Sequence, residues 1–384
     1  MAASLFLGVA GQRGCVGLLR CLAFSPGILV PPRGPRLTPR SFSGSPAEGR
    51  AALRRWDLPV SPFSTVRAQL TCSISVRSLD PHSFPEADRA FIAVHGGDSE
   101  QQQVCLDQLR VHYDDQTEEL LISAENLKSS VSIELTAPIK SVCVDLFITT
   151  MGEGHVTVKK MECDICKVQT ERGNCLLHSV KGHQVTVQSS GGHITCDGTI
   201  HGNVDISASG DSAVELKKLQ GTKMSISTEH GPLKAKAIYA ESSCISSCSG
   251  TIQLGHMHGN GTVRNVFGDT VIDGSNSFLN VSSRSGVIDV YVGDSAELHS
   301  QEGAVSVRVP STLTAGVELC GAMVEISPEV VLHRVENNTT QGQTTVTGYM
   351  NSASPVDQWV KAQADKGCVT LKTQSWFESL KLGS

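Results

Sequence analysis

Through the middle of the chain, apolar and polar residues alternate with a period of two, as in 185–189 and 193–196, and the alternation breaks at glycines. β-branched residues and glycine dominate these stretches, which excludes helix. Between Ile139 and Val309 the only proline is Pro232, so the backbone is free to pair throughout. The pattern predicts many short strands joined by Gly-containing turns.

Those strands repeat. An aliphatic residue followed five positions later by glycine recurs at Val168/Gly173, Val187/Gly192, Ile226/Gly231, Ile245/Gly250, Val263/Gly268, Val281/Gly286 and Leu298/Gly303. Ile206 fills the gap in this series, with its glycine slipped to Gly210, and the steps between anchors are then 19, 19, 20, 19, 18, 18 and 17 residues. Other columns test the period independently. Two residues after each anchor stand Thr170, Ser189, Ala208, Thr228, Ser247, Asn265, Ser283 and Ser300. Seven after it stand Cys175, Ile194, Ala213, Leu233, Ile252, Thr270, Ile288 and Val305. A second glycine often precedes the anchor, at Gly182, Gly202, Gly221 and Gly259, and marks another corner.

A unit of about 19 residues with two strands fits either an antiparallel meander or a parallel β-solenoid. The ladder of small polar residues favours the solenoid, because in-register parallel stacking places identical side chains above one another. At about 4.8 Å per layer, eight to ten coils would give a rod on the order of 40–50 Å. Outside the repeats the phase is lost, although strand-like runs remain at 70–76, 91–94, 109–113, 120–123, 131–136, 142–148, 330–335, 344–349 and 369–373. A hairpin turn is expected near Asp114 and Glu119. The expected fold is therefore all-β: solenoid repeats over 151–325, a β cap over 67–150, and a second cap and tail over 326–384, with Trp376 and Phe377 as a lid.

The N-terminus reads differently. Residues 1–47 contain no Asp, Glu or Lys but five arginines: Arg13, Arg20, Arg33, Arg36 and Arg40. That is the composition of a mitochondrial transit peptide rather than a secretory signal, whose apolar core would not hold Arg13. Arg40, Phe42 and Ser43 resemble a matrix processing site, giving a transit peptide over 1–42 and a flexible linker over 43–66. The expected location is the mitochondrial matrix. Removing the five arginines takes the net charge from −6 to −11, which argues against a nucleic-acid partner. No apolar run is long enough for a membrane-spanning helix. Thirteen cysteines in 384 residues suit reduced, mostly buried thiols rather than a disulfide scaffold.

The pattern apolar-x-Ser/Thr-x-x-Gly-x-apolar-x-apolar at 187–196, 226–235 and 281–290 resembles the bacterial "putative adhesin" domain of unknown function. The resemblance covers 142–325 and implies a β-solenoid with no catalytic residues to carry over. With its presequence, the whole chain resembles a vertebrate mitochondrial member of that family.

Candidate chemistry is sparse. Cys163, Cys166, Cys175 and His178 have the spacing of four zinc ligands. The repeat register argues against zinc, since Cys166 and Cys175 replace the aliphatic residues of neighbouring repeats. His256 and His258 read as a turn-exposed pair, the alternative being two imidazoles on one face of a strand. Asp269, Asp273 and Asp294 lack the context of calcium-binding repeats, while Asp205 and Glu215 are a carboxylate pair that nothing singles out. Lys217, Lys218, Lys234 and Lys236 read as a solvated face. No catalytic residue, metal or cofactor is assigned. The favoured function is a non-enzymatic interaction or scaffold protein with a protein partner, supported by the repeat and its polar ladder. The open ends of a solenoid also allow oligomerisation. The alternative is a solenoid enzyme or binder acting on a carbohydrate-like polymer, which would require acids and bases from neighbouring coils to converge in a groove.

Overall fold

The computed structural model describes residues 52–96, 108–124, 127, 130–138, 145–340 and 342–375, all within the unit Arg50–Ser384. The processing residues Arg40, Phe42 and Ser43, and the expected lid of Trp376 and Phe377, lie outside the described residues. Every regular element described is a β-strand.

The repeats stack as parallel coils in register, which decides for the solenoid over the meander. On the first wall one outward-facing position runs from coil to coil through Ser123, Gln69, Thr149, Gln169, Gln188, Ser207, Ser227, Ser246, Arg264, Ser282, His299, Gln363 and Cys320. That is thirteen layers, or about 58 Å at 4.8 Å per step. The adjacent inward position carries the anchors Val168, Val187, Ile206, Ile226, Ile245, Val263, Val281 and Leu298, each at most 2% exposed. Each such burial contributes about 1.5–3 kcal/mol. A second wall stacks Val156, Cys175, Ile194, Val214, Leu233, Ile252, Thr270, Ile288, Val305 and Val369 inward in the same way.

Two features differ from the two-strand unit. The central strands Ile194–Ala208, Val214–Thr228, Leu233–Ser247 and Ile252–Phe267 bend round a further side. There Ile200, Leu219, Ile238 and Met257 pair in register and point inward, giving these coils a third wall. The irregular repeat is also resolved differently. Ile194 pairs with Val214 rather than Ala213, and Ser212, not Gly210, stands at the corner beneath Gly231. One residue has been inserted in the turn before Ser212.

At both ends, stacking order departs from chain order. Thr65–Leu70 lies between Glu119–Ser123 and Asp145–Thr150, and Ser73–Ser78 lies between Ser132–Ala137 and Val156–Lys159. At the other end, Trp359–Ala364 inserts between Ala296–Ser300 and Ala315–Gly321, while Cys368–Thr373 inserts between Val305–Val309 and Met323–Ile326. The flanks expected to lack the repeat phase thus contain in-phase coils, and strand Ala52–Pro59 lies within the stretch read as linker. The single run expected at 70–76 is two strands meeting at a corner.

Antiparallel strands cover the ends. Arg89–His95 pairs with Ser132–Ala137 and with Ala52–Pro59, and Arg110–Asp114 forms the expected hairpin with Glu119–Ser123. Gln343–Met350 pairs with Ala315–Gly321 and is in turn covered by Leu332–Thr340.

The ladder of small polar residues points inward, so the support it was expected to lend to an interaction role is withdrawn. Thr150, Thr170, Ser189, Thr228, Ser247, Asn265, Ser283 and Ser300 are all buried. They stand where the first wall turns into the second, and several tie down that turn. Ser189 Oγ donates to the Gly192 carbonyl at 2.6 Å and accepts from the Gly192 amide at 3.0 Å. The Asn265 amide donates to the carbonyls of Gly250 and Gly268, both at 3.0 Å. The glycines at this corner leave no room for a side chain, since a Cβ at Gly173, Gly192, Gly250 or Gly286 would overlap a carbonyl oxygen of the coil before it.

Gly192→Ala should therefore destabilise the protein by roughly 3 kcal/mol, the upper range for overpacking. Gly191→Ala, whose added Cβ would come no closer than 3.4 Å to a neighbour, should change stability by less than about 1 kcal/mol. Denaturant unfolding of both variants checks the contrast.

Candidate functional site

Of the zinc candidates the three cysteines gather inside the coil, while His178 stands apart from them on the outer face. Cys163, Cys166 and Cys175 are buried, each at most 2% exposed. Strand Cys175–His178 buries Cys175 and Leu177 and turns Leu176 and His178 outward. Residues three apart on a strand lie on opposite faces, so His178 cannot join Cys175 at one ion. It faces Asp197 instead, at 3.1 Å. Asp197 also pairs with Lys217, and the ammonium first, then the imidazole, holds its carboxyl below the usual range. Inside the coil, Cys196 joins the electrostatic neighbourhood of Cys166 and Cys175. Burial pushes Cys196 up to about 12, and Cys72 likewise. Cys166 is raised by its hydrogen bond with Cys163 and by burial, and Cys175 by burial. A thiol kept protonated is a poor metal ligand and nucleophile. Among the described residues no group of three or more His, Cys, Asp or Glu is arranged to hold a metal.

Other expected residues are separated by the walls. Asp205 points out of the first wall and Glu215 out of the second, so this carboxylate pair does not meet. His256 and His258 are not a turn pair as expected but lie within strand Ile252–Phe267, where they share the outer face of the third wall.

The third wall gathers the most distinctive outward side chains. Register stacks Gln220, Tyr239 and His258 in successive coils. The rings of Tyr239 and His258 lie face to face, 4.4 Å between centroids and 7° between planes. Lys218 places its ammonium 5.0 Å from the centre of the Tyr239 ring, a cation–π contact. On the far side, the Asn276 amide donates to His258 Nδ1 at 2.6 Å, which leaves the proton of the neutral imidazole on Nε2. Burial, and then the neighbouring His256, lower the His258 pKa and favour that neutral ring. Tyr239 remains 38% exposed despite these neighbours. The arrangement is a rigid aromatic stack flanked by one cation and one amide, able to present apolar area and hydrogen-bond donors together.

Residues 86–254 match the family model described as Toastrack DUF4097. The Toastrack match covers less than half of the chain and runs from an end-covering strand into the central coils. It includes Lys218 and Tyr239 and stops short of His256 and His258. Solved structures resemble the chain at low identity. A "putative adhesin" of Parabacteroides merdae is 10% identical, with 67% of this chain and 97% of that one covered and a TM-score of 0.40. Another from Parabacteroides distasonis is also 10% identical, covering 83% and 96% at a TM-score of 0.33. A "putative lipid binding protein" of the same species is 11% identical, covering 83% and 96% at 0.31.

Sequence reasoning read Lys218 only as part of a solvated face and did not connect Tyr239 with His258. The signal was present as a 19-residue spacing between Tyr239 and His258, equal to one coil.

Thiol labelling checks the interior assignment. In the native protein Cys244 and Cys248, both exposed, should react first. Cys72, Cys163, Cys166, Cys175 and Cys196 should react only after unfolding, and the purified protein should contain no stoichiometric zinc. Zinc at one equivalent, released as these thiols become reactive, would contradict the assignment.

Proposed function

We propose that this is a non-enzymatic binding protein of the mitochondrial matrix, which docks a partner protein on its third wall with Tyr239 as the anchor. The observation that carries this reading is the stack of Lys218, Tyr239 and His258 on adjacent coils. Tyrosine is enriched at interface centres, and a ring already held in place loses little freedom on binding. A wall is favoured over an end because antiparallel strands cover the ends. The matrix location rests on the arginine-rich, acid-free segment 1–47 and its processing motif. The acidic net charge disfavours a nucleic-acid partner.

The carbohydrate reading has one observation in its favour. A groove of about 430 Å³ on the first wall brings Glu297, His299, Glu318 and Lys361 together from stacked coils. Yet Glu297 pairs with Lys361 at 4.0 Å and His299 pairs with Asp365 at 3.1 Å. No Phe, Tyr or Trp lines the groove to stack on a sugar. The third wall is the better-supported site.

A photo-crosslinking amino acid at Gln220, beside Tyr239, tests the docking. In intact mitochondria it should give one discrete adduct, lost with Lys218→Ala/Tyr239→Ala, while the same probe at Ser227 on the first wall gives none. Equal adducts at both positions, or an adduct indifferent to the substitutions, would contradict the third wall. The purified protein should begin within residues 42–50, and an intact Met1 would contradict matrix processing.

A further inference from the structure

A second region of the surface has its own chemistry. On the second wall Arg77, Lys159, His178 and Asp197 occupy the same outward position in four consecutive coils. With Ser78, Lys160 and Leu176 they line a groove of about 490 Å³. Adjacent parallel strands are about 4.8 Å apart, so the fold holds the guanidinium, an ammonium and an imidazole in direct succession. Like charges so placed oppose folding unless something neutralises them.

The local carboxylates do not neutralise them all. Arg77 is engaged by Glu134 at 3.1 Å and by the Thr136 hydroxyl at 3.0 Å. Asp197 is shared between His178 and Lys217. Lys159 and Lys160 have no ion-pair partner among the described residues. Lys160 has a left-handed backbone, with φ at 50°, and its amide is fixed by the His178 carbonyl at 2.8 Å. On a regular strand the residue after Lys159 would point inward. The left-handed turn instead keeps both lysines exposed at the groove. This backbone costs on the order of 1 kcal/mol in a residue that is not glycine, and Gly198 occupies the same turn two coils on with φ at 76°.

We propose that this groove binds a phosphate group, with Lys159 and Lys160 as its principal cations, Arg77 and His178 at its sides, and the Ser78 hydroxyl as a further donor. Several N–H donors converging on one small volume suit an anion with several oxygens and more than one negative charge. Its position in a chain of net charge −6 sets the groove apart electrostatically. A phosphate could arrive on a soluble molecule or on a lipid headgroup, and the test separates these sources.

Titration calorimetry of the full-length protein with pyrophosphate, and flotation of it with vesicles containing phosphatidate, form its arms. Binding of pyrophosphate without vesicle binding supports a soluble phosphate ligand, and vesicle binding without pyrophosphate supports a headgroup. In whichever arm binds, Lys159→Gln/Lys160→Gln should weaken binding at least tenfold with unchanged circular dichroism. Leu176→Glu, which adds a carboxylate to the groove, should weaken it comparably, and Lys361→Gln on the first wall should leave it unchanged. No binding in either arm, or binding equally weakened by Lys361→Gln, would overturn the proposal.

Discussion

The structure depends on the close approach of one coil to the next at its corners. Parallel pairing sets the separation at about 4.8 Å along every wall. At the corners of the regular turns, where the chain has no room to splay, that spacing leaves no volume for a side chain, and a serine takes the glycine's place only at Ser212, where the turn is one residue longer. Gly173, Gly192, Gly250 and Gly286 follow directly, since a Cβ at any of them would overlap a carbonyl oxygen in the coil before. The hydroxyls of Ser189 and Ser247 follow as well, because the buried turn has backbone groups that the walls do not pair. Register, corner glycines and inward hydroxyls are one constraint expressed three times.

This constraint explains what was legible in the sequence. From Val168 to Val305 stacking order equals chain order, so a fixed step between anchors appears as a repeat and identifies the solenoid. At the ends the step is broken by insertion of one coil between two others. Leu120 therefore stacks on Val66, and Leu298 on Ala362, with no fixed sequence offset to detect. The hydroxyl ladder was visible as a repeating column, but only the corner geometry reveals that it is buried and that members such as Ser189 and Ser247 bond the backbone of the turn. The same reasoning that read Cys166 and Cys175 as core thiols succeeds because their columns are apolar in neighbouring coils. The third wall was missed because its inward rung contributes one buried side chain per coil, such as Leu219 or Ile238, too little to form a visible period of its own.

With the interior committed to packing and the ends to covering strands, recognition falls to the walls. They offer positions in rows, one residue per coil, so any site built there is a short column with spacing fixed by the backbone. Gln220, Tyr239 and His258 form such a column, with Lys218 against the Tyr239 ring and Asn276 of the following loop bonded to His258. The row of Arg77, Lys159 and His178 is another with opposite chemical character, cationic where the first is aromatic. Sites of this kind need no moving parts, and rigidity is what a coil stacked on both sides supplies.

The central claim is the order of the coils, and distances between spin labels measure it most directly. With Cys244, Cys248 and Cys368 replaced by Ser, Cys320 replaced likewise except where it carries the label, and one label at Gln188, the second is placed in turn at Ser282, His299, Gln363 and Cys320. Register puts these five, six, seven and eight layers away, or about 24, 29, 34 and 38 Å at 4.8 Å per layer. The account predicts a steady increase in that order, with Cys320 farther than Gln363 although it comes earlier in the chain. A Gln363 label at or beyond the Cys320 distance, or distances that do not rise from coil to coil, would contradict it.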